Sequence, residues 1–196
     1  MKKIIIIVTI AILFLNILPG YAENKSLYTT QTPCRINKNM DFSSSSCVTS
    51  GTGTQSDPYI IEGWDINGAG YGYALYIGNT TAYFIVRNNY LHNASGNSGW
   101  YYWNTGLILY NVTNGKIENN NASGNSWNGI RLFSSSNNYI TNNNASGNSF
   151  AGIRLWSSSN NNLSGNVLYN NGIAIFGFSL TDWNTHNIDT TNLVNG

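Results

Sequence analysis

The chain has 196 residues, a net charge of +1 and only 9% charged residues. This low, balanced charge excludes the long-range field with which proteins attract nucleic acid or an anionic membrane surface. Aromatic residues make up 13% of the chain, and their number, together with the phased apolar positions described below, argues against intrinsic disorder. We therefore expect a folded protein without a nucleic acid partner.

Residues 1–22 predict a secretory signal peptide. Lys2 and Lys3 precede an apolar run from Ile4 to Leu18, and the segment closes at Ala22. The run is shorter than the roughly 20 residues that a membrane span needs, and the order of its parts is that of a cleaved signal. An uncleaved anchor stays open as the alternative and would be the only membrane contact. We expect a secreted or cell-surface protein.

Residues 23–58 predict an N-terminal cap, which would cover exposed hydrogen-bonding edges of the first strands. Cys34 and Cys47 are the only two cysteines. In an oxidising compartment they are expected to form a disulfide with each other. A metal-binding thiolate pair is the alternative, but it lacks nearby histidines to complete a site.

Residues 59–196 predict a single repeat domain made of short strands. Glycines and Pro58 lead into predicted strands at 59–61 and 64–66, and another follows at 84–86. Between them, Tyr73 and Leu75 are expected to point inward. Residues 93–105, rich in Asn, Gly and Trp, are predicted to form a surface loop.

The regular part of the repeat domain begins at Gly106. Gly106, Gly129 and Gly152 each start a similar segment, and the interval between them is the same both times. A fixed period of about 23 residues indicates stacked repeats. The segments are too short and too rich in Ser, Asn and Gly for helices.

The repeats align into columns because alternate side chains of a strand point to opposite faces. Positions one and three places after each glycine are apolar and predict an inward face. The three inward columns are Leu107, Ile130, Ile153; Leu109, Leu132, Leu155; and Ile117, Ile140, Leu163. A further column places Asn120, Asn143 and Asn166 at corners, where Asn tolerates a left-handed backbone and bonds its own main chain. This pattern predicts an all-β fold, a right-handed parallel β-helix of about five to six coils.

The stretch from Gly51 onward also carries recognisable motifs: Gly51-Thr-Gly-Thr-x-x-Asp57-Pro-Tyr-Ile-Ile, Trp64-Asp-Ile and the Ile-x-Asn-Asn corners. Over residues 36–196 they resemble the NosD-like right-handed β-helix proteins of the archaeal cell exterior. Those proteins belong to a wider group of carbohydrate-binding proteins and sugar hydrolases with the pectin-lyase-like fold. Members usually continue with more coils after a segment like 183–196, so the resemblance implies a repeat domain incomplete at its C-terminus.

Two function classes find little support in the residues. Glycoside hydrolysis uses two carboxylates within about 10 Å, and the only close pair in the sequence is Glu62 with Asp65, in the first turns of the domain. Copper delivery, suggested by the resembled family, needs thiol, thioether or imidazole ligands, but His92 and His186 stand far apart. We expect no catalytic residues, no metal ligands and no cofactor.

The third class is a structural or glycan-binding surface protein. The predicted outward face carries an aromatic column, Tyr110, Phe133 and Trp156, with Arg131 and Arg154 beside it. Aromatic faces stack on sugars, and the Arg fork donates to hydroxyls or carboxylates. The alternative is that the rings only stack on one another. Tyr76 and Phe176 extend the column if Gly72 and Gly172 start coils in the same phase.

Seven Asn-x-Ser/Thr sequons are compatible with a glycosylated surface protein. They begin at Asn24, Asn79, Asn93, Asn111, Asn121, Asn144 and Asn162. The partner that these observations suggest is a polysaccharide or surface glycan, while the sequence leaves the oligomeric state open.

Overall fold

The computed structural model describes residues 28–96 and 104–194, and these residues form a parallel β-helix. In successive coils the chain passes through three parallel sheets in the same order. The predicted fold class is therefore confirmed. The predicted signal peptide, residues 1–22, lies outside the described residues, as do residues 97–103 of the predicted surface loop.

Two of the sheets run the length of the domain, with strands numbered in chain order. Sheet 1 consists of β2 (Cys34–Ile36), β5 (Tyr73–Thr80), β8 (Thr105–Val112), β10 (Asn128–Phe133), β12 (Ala151–Trp156) and β15 (Ile173–Phe176). Sheet 2 consists of β3 (Tyr59–Glu62), β6 (Phe84–Arg87), β9 (Gly115–Glu118), β11 (Tyr139–Thr141), β13 (Asn162–Ser164) and β16 (Asn187–Ile188). Six strands in each sheet agree with the predicted coil number.

Sheet 3 is narrower than the other two. It contains β1 (Thr29–Gln31), β4 (Trp64–Asn67) and β7 (Tyr90–His92), and later β14 (Val167–Leu168) and β17 (Leu193–Val194). Between β7 and β14 the sheet is reduced to single bridges through Asn121 and Asn144. Two short helices complete the elements, a 3₁₀ helix (Asn39–Ser44) after β2 and α1 (Thr181–Asn184) after β15.

The core is a stack of like side chains, as the columns predicted. Leu107, Ile130 and Ile153 pair in register on neighbouring strands of sheet 1, and all three are fully buried. Ile117, Ile140 and Leu163 do the same in sheet 2. Burial of each such side chain contributes roughly 1.5–3 kcal/mol. A single coil cannot supply this burial, so neighbouring coils depend on one another.

The repeat glycines stand where the chain enters sheet 1 against the backbone of the adjoining turn. A Cβ on Gly129 would lie 2.5 Å from the carbonyl oxygen of Ala122, and one on Gly152 would lie 2.6 Å from that of Ala145. Backbone atoms cannot yield as a flexible side chain would. The recurring glycine therefore reflects close packing of the turn rather than an unusual backbone angle.

The repeat period is constant only in the centre of the domain, from β8 to β12. In sheet 1, Leu75 pairs with Leu107 across a longer interval, whereas Ile153 pairs with Ile173 across a shorter one. Register is kept in both cases. The additional or missing residues therefore fall in the turns and leave the strands in phase.

The predicted Asn column forms a buried hydrogen-bonded ladder between sheets 2 and 3. Each Nδ2 donates to the Oδ1 of the next coil, over 3.0 Å from Asn120 to Asn143 and again from Asn143 to Asn166. The Nδ2 of Asn120 also donates to the carbonyls of Val86 and Glu118. One expectation was wrong, since the left-handed backbone belongs to the preceding residues. These are Asn119, Asn142 and Gly165, with φ of 56°, 55° and 65°.

Two more ladders, which were not among the predicted columns, occupy the other corners. Between sheets 3 and 1, Asn125 donates to Asn148 over 3.1 Å, and Asn148 to Asn171. Between sheets 1 and 2, Asn138 donates to Asn161 over 3.2 Å. All three corners of the coil are thus closed by buried amides.

The N-terminal segment covers the first coil. Phe42 is buried and stacks on Tyr59, with ring centroids 4.7 Å apart. The predicted disulfide between Cys34 and Cys47 is present, and the Trp64 indole donates to the Cys47 carbonyl over 2.8 Å. The strands β1 and β2 pair with β4 and β5, so residues of the predicted cap already belong to the sheets.

Placing a charge in the inward column is expected to abolish cooperative folding. Leu132 is fully buried, and Leu132→Asp would leave a carboxylate there without a partner. We expect a loss of at least about 4 kcal/mol in the free energy of unfolding. Thermal unfolding followed by circular dichroism measures it. Ser134→Asp, an exposed control two residues away, should unfold like the wild type; an unchanged Leu132→Asp transition would contradict the column assignment.

Stability is expected to fall on acidification because of His186. Its Nδ1 accepts a hydrogen bond from the backbone N–H of Asn161 over 3.2 Å, where the preceding coil uses an Asn oxygen. Burial lowers the pKa of His186 despite the nearby Asp182 carboxylate. The neutral ring is therefore favoured by folding, so its contribution is full above the usual pKa of about 6.5 and is lost as pH falls through the lowered value.

The measurement is the unfolding temperature of wild type and His186→Asn between pH 8 and pH 4. The Asn side chain keeps an acceptor and does not titrate. We expect the wild type to lose roughly 2–4 °C more than the variant, corresponding to about 1 kcal/mol. Parallel pH curves for the two proteins would show that His186 does not contribute.

Candidate functional site

The predicted binding residues lie together on the outer face of sheet 1. Tyr110, Phe133 and Trp156 pair in register on β8, β10 and β12, and Phe176 continues the row on β15. The extension to Phe176 is therefore correct. We call these four residues the first aromatic row.

The rings of the first aromatic row contact each other. Tyr110 and Phe133 are stacked with centroids 5.4 Å apart, and Phe133 meets Trp156 edge-on at 5.5 Å. Trp156 and Phe176 are tilted at 6.1 Å. Ring contacts of this kind stabilise the outer face of the sheet. The rings of the row nevertheless remain partly exposed to solvent.

A second aromatic row lies on the opposite side of the same face and was missed. Trp127 and Phe150 are stacked, with centroids 4.8 Å apart and an interplanar angle of 8°. Both are exposed. Each stands two positions before a repeat glycine, Gly129 or Gly152, so the repeat spacing carried the signal. The predicted columns began at the glycine and did not include these positions.

Arg131 and Arg154 occupy the floor between the two rows. They pair in register with each other, and Ile108 precedes them in the same column. They point away from the core, as predicted, but they are not exposed beside the rings: Arg131 is 1% and Arg154 is 9% exposed. We call this surface the arginine trough, with Ile108, Arg131 and Arg154 as its floor and the two aromatic rows as its walls.

Aromatic rings surround the guanidinium group of Arg154. Its Cζ lies 4.6 Å from the Trp156 ring centre, 4.7 Å from that of Phe176 and 5.3 Å from that of Phe150. Such cation–π contacts offset part of the cost of desolvation. The pKa of Arg154 is lowered by burial, yet an arginine stays charged near neutral pH.

No carboxylate compensates this charge within the described part of the chain. The ion pairs there join Lys38 to Asp41 and Arg87 to Glu62, and His92 lies within hydrogen-bond distance of Asp65. Arg154 takes part in none of them, and its buried Nε has no hydrogen-bond partner among the described residues. A buried cation without an anion is costly, so the charge of Arg154 is left uncompensated among the described residues.

The expected extension of the aromatic row to Tyr76 was wrong by two positions. Tyr76 pairs with Ile108, and Gly78 stands opposite Tyr110. Tyr76 therefore belongs to the floor column, where the guanidinium of Arg35 lies 4.0 Å from its ring centre. Positions in this coil were counted from Gly72, which is not equivalent to Gly106. Gly72 instead ends the preceding turn, with φ 80°.

The two carboxylates considered for catalysis, Glu62 and Asp65, lie on different sheets, and each contacts a different basic side chain. Glu62 on β3 accepts a hydrogen bond from Arg87 Nε over 2.7 Å, and Asp65 on β4 lies 2.7 Å from His92 Nε2. The hydrogen bond to Glu62 raises the pKa of Arg87. Each acid thus has a basic neighbour, in an arrangement typical of structural ion pairs.

Three parallel sheets around a stacked apolar core define a parallel β-helix protein. Residues 23–194 match the family described as the right handed beta helix region, so the chain belongs to that family. Comparison with curated proteins found no match, and neither did comparison with solved structures. The family has the pectin-lyase-like architecture, which by itself fixes no activity.

One observation bears on the cellular location. The disulfide between Cys34 and Cys47 is compatible with an extracytoplasmic protein. Within the two described segments, every helix is too short or too polar to cross a membrane.

We expect the chain neither to cleave polysaccharides nor to bind copper tightly. The acids Glu62 and Asp65 are paired with bases, and the described residues contain no cluster of three or more His, Cys, Asp or Glu. Reducing-sugar and unsaturated-product assays test the first statement, and Cu(I) titration against a chelator tests the second. Turnover lost in Glu62→Gln or Asp65→Asn, or stoichiometric submicromolar copper binding, would contradict it.

Proposed function

We propose that this chain is an exported, non-catalytic module that binds a glycan carrying anionic groups in the arginine trough. The observation that carries the proposal is the buried guanidinium of Arg154, which has three rings around it and no carboxylate beside it among the described residues. A ligand carboxylate or sulfate would supply the missing counter-charge.

The shape of the trough supports a linear ligand. Adjacent strands of a sheet lie about 4.8 Å apart, so equivalent side chains of β10, β12 and β15 form straight rows along the domain. Ring faces of the two walls offer apolar platforms for sugar rings. The fork of Arg154 favours a planar or tetrahedral oxyanion over a hydroxyl, because charge-assisted hydrogen bonds are stronger than neutral ones.

Three features support export as part of the proposal. The sequence of residues 1–22 has the order of a signal peptide, the disulfide suits an oxidising compartment, and several motifs resemble the exported NosD-like proteins. We infer that the chain acts outside the cytoplasm, where polysaccharides and surface glycans are available.

The test compares a charged ligand with its neutral derivative. Isothermal titration would use a mannuronate hexamer and the methyl ester of the same hexamer. We expect wild type to bind the acid at least tenfold more tightly than the ester, and Arg154→Gln to lose this preference. Trp156→Ala should weaken binding of the acid by about 1–2 kcal/mol. A glycan array run in parallel extends the comparison to sulfated chains.

Tyr169→Ala serves as the control, because Tyr169 is an exposed aromatic residue outside the trough. It should bind like the wild type. Absence of binding to any acidic glycan by wild type, combined with a lower unfolding temperature of Trp156→Ala, would leave the rings with a packing role only and overturn the proposal.

A further inference from the structure

A groove on the outer face of sheet 2 is separate from the arginine trough. It is open to solvent and has a volume of about 730 Å³, which is within the range of about 300–1,000 Å³ that small-ligand sites occupy. Its floor is formed by outward side chains of β6, β9 and β11, and its walls by the loop before β3 and the turns between sheets 1 and 2. The groove thus spans three successive coils.

Backbone hydrogen bonds hold the walls of this groove. The N–H of Tyr83 donates to the carbonyl of Gly53 over 3.0 Å, and the N–H of Tyr59 donates to the carbonyl of Tyr83 over 3.0 Å. The loop that carries Gln55 and Pro58 is therefore clamped to the turn at Tyr83. On the other wall, a side chain contributes, since the Nδ2 of Asn114 donates to the carbonyl of Thr81 over 2.9 Å. A groove fixed in this way is largely preformed, which lowers the entropic cost of binding.

Tyr139 supplies an aromatic face that no other ring of the described residues contacts. Its side chain is 51% exposed. In the first aromatic row every ring contacts another ring, whereas the ring pairs of the described residues do not include Tyr139. It stands between Lys116 and Asn162 in the outward column of sheet 2. An exposed ring above a groove is a stacking platform for a flat apolar surface.

The polar groups of the groove carry no net charge. Lys116 and Glu118 lie two positions apart on β9, and both side chains face outward. Their opposite charges, about 6.5 Å apart along the strand, cancel. The other polar groups include the side-chain amides of Gln55 and Asn137, which are exposed. Amides donate and accept equally well and match neighbouring hydroxyls. The charge balance distinguishes this groove from the cationic trough.

We propose that this groove binds an uncharged, hydroxyl-rich saccharide, with one sugar ring stacked on Tyr139 and its hydroxyls bonded by Asn137, Gln55, Lys116 and Glu118. The site lies on a different sheet from the arginine trough and takes a ligand of different charge. It does not depend on the function proposed for the trough.

The experiment uses the full chain and a panel of neutral hexaoses: cello-, xylo-, manno- and maltohexaose. Binding is measured by isothermal titration and by saturation-transfer NMR. We expect at least one hexaose to bind wild type, and Tyr139→Ala to lower its affinity about tenfold or more. Arg154→Gln and Tyr169→Ala should leave this affinity unchanged, because neither residue lines the groove.

Folding is checked independently, because Tyr139 lies on a strand. Tyr139→Phe keeps the ring and should retain most of the affinity, while unfolding temperatures of both variants should stay close to that of the wild type. Lack of binding of all four hexaoses to wild type would overturn the proposal, and so would binding that survives Tyr139→Ala. Loss of the same binding in Arg154→Gln would assign the neutral ligand to the trough instead.

Discussion

The structure depends on the hydrogen bonds that buried amides make at the corners of each coil. A chain that turns sharply around an apolar core leaves backbone groups at the corner without strand partners, and buried backbone groups of this kind must be satisfied. The side chain of Asn143 satisfies several at once, because it donates to the carbonyls of Ile117 and Thr141 and to Asn166. The same arrangement in the central coils makes their turns alike in geometry, and this keeps the apolar columns aligned.

The outer face of sheet 1 shows that this protein packs on both sides of one sheet. The inner side carries the aliphatic columns, and the outer side carries Ile108, Arg131 and Arg154 under two aromatic rows. Arginine suits such a position because its long apolar stem packs between rings while its charged plane stacks on them. The outer face of sheet 1 therefore contains both buried side chains and exposed rings. The outer face of sheet 2 differs from it in carrying mainly polar side chains.

Much of this architecture could be predicted from periodicity, because a stack places equal residues at equal positions. The inward columns, the corner Asn column and the row from Tyr110 to Phe176 all follow from that rule. The rule fails where the period changes. Tyr76 was misplaced because the interval to its partner Ile108 is longer than the central period, and a sequence does not show in which turn the additional residues lie.

Burial was harder to predict than direction. Parity correctly sends Arg131 and Arg154 outward, but the burial of Arg154 also involves Phe150, which precedes the strand and was not among the predicted columns. The groove on sheet 2 has the same origin. It arises where the loop around Pro58 meets the turn at Tyr83, a contact between segments whose sequences share no repeat.

The unequal intervals between paired strands have a consequence for how such a protein changes over time. Because Leu75 and Leu107 remain in register across a longer turn, residues can be gained or lost at a corner without shifting any side chain of the core. The length and composition of the turns can then change by neutral mutation or under selection, while the strands keep their register. A whole coil is likewise a unit that can be duplicated or deleted, so surfaces of new shape can arise on an unchanged interior.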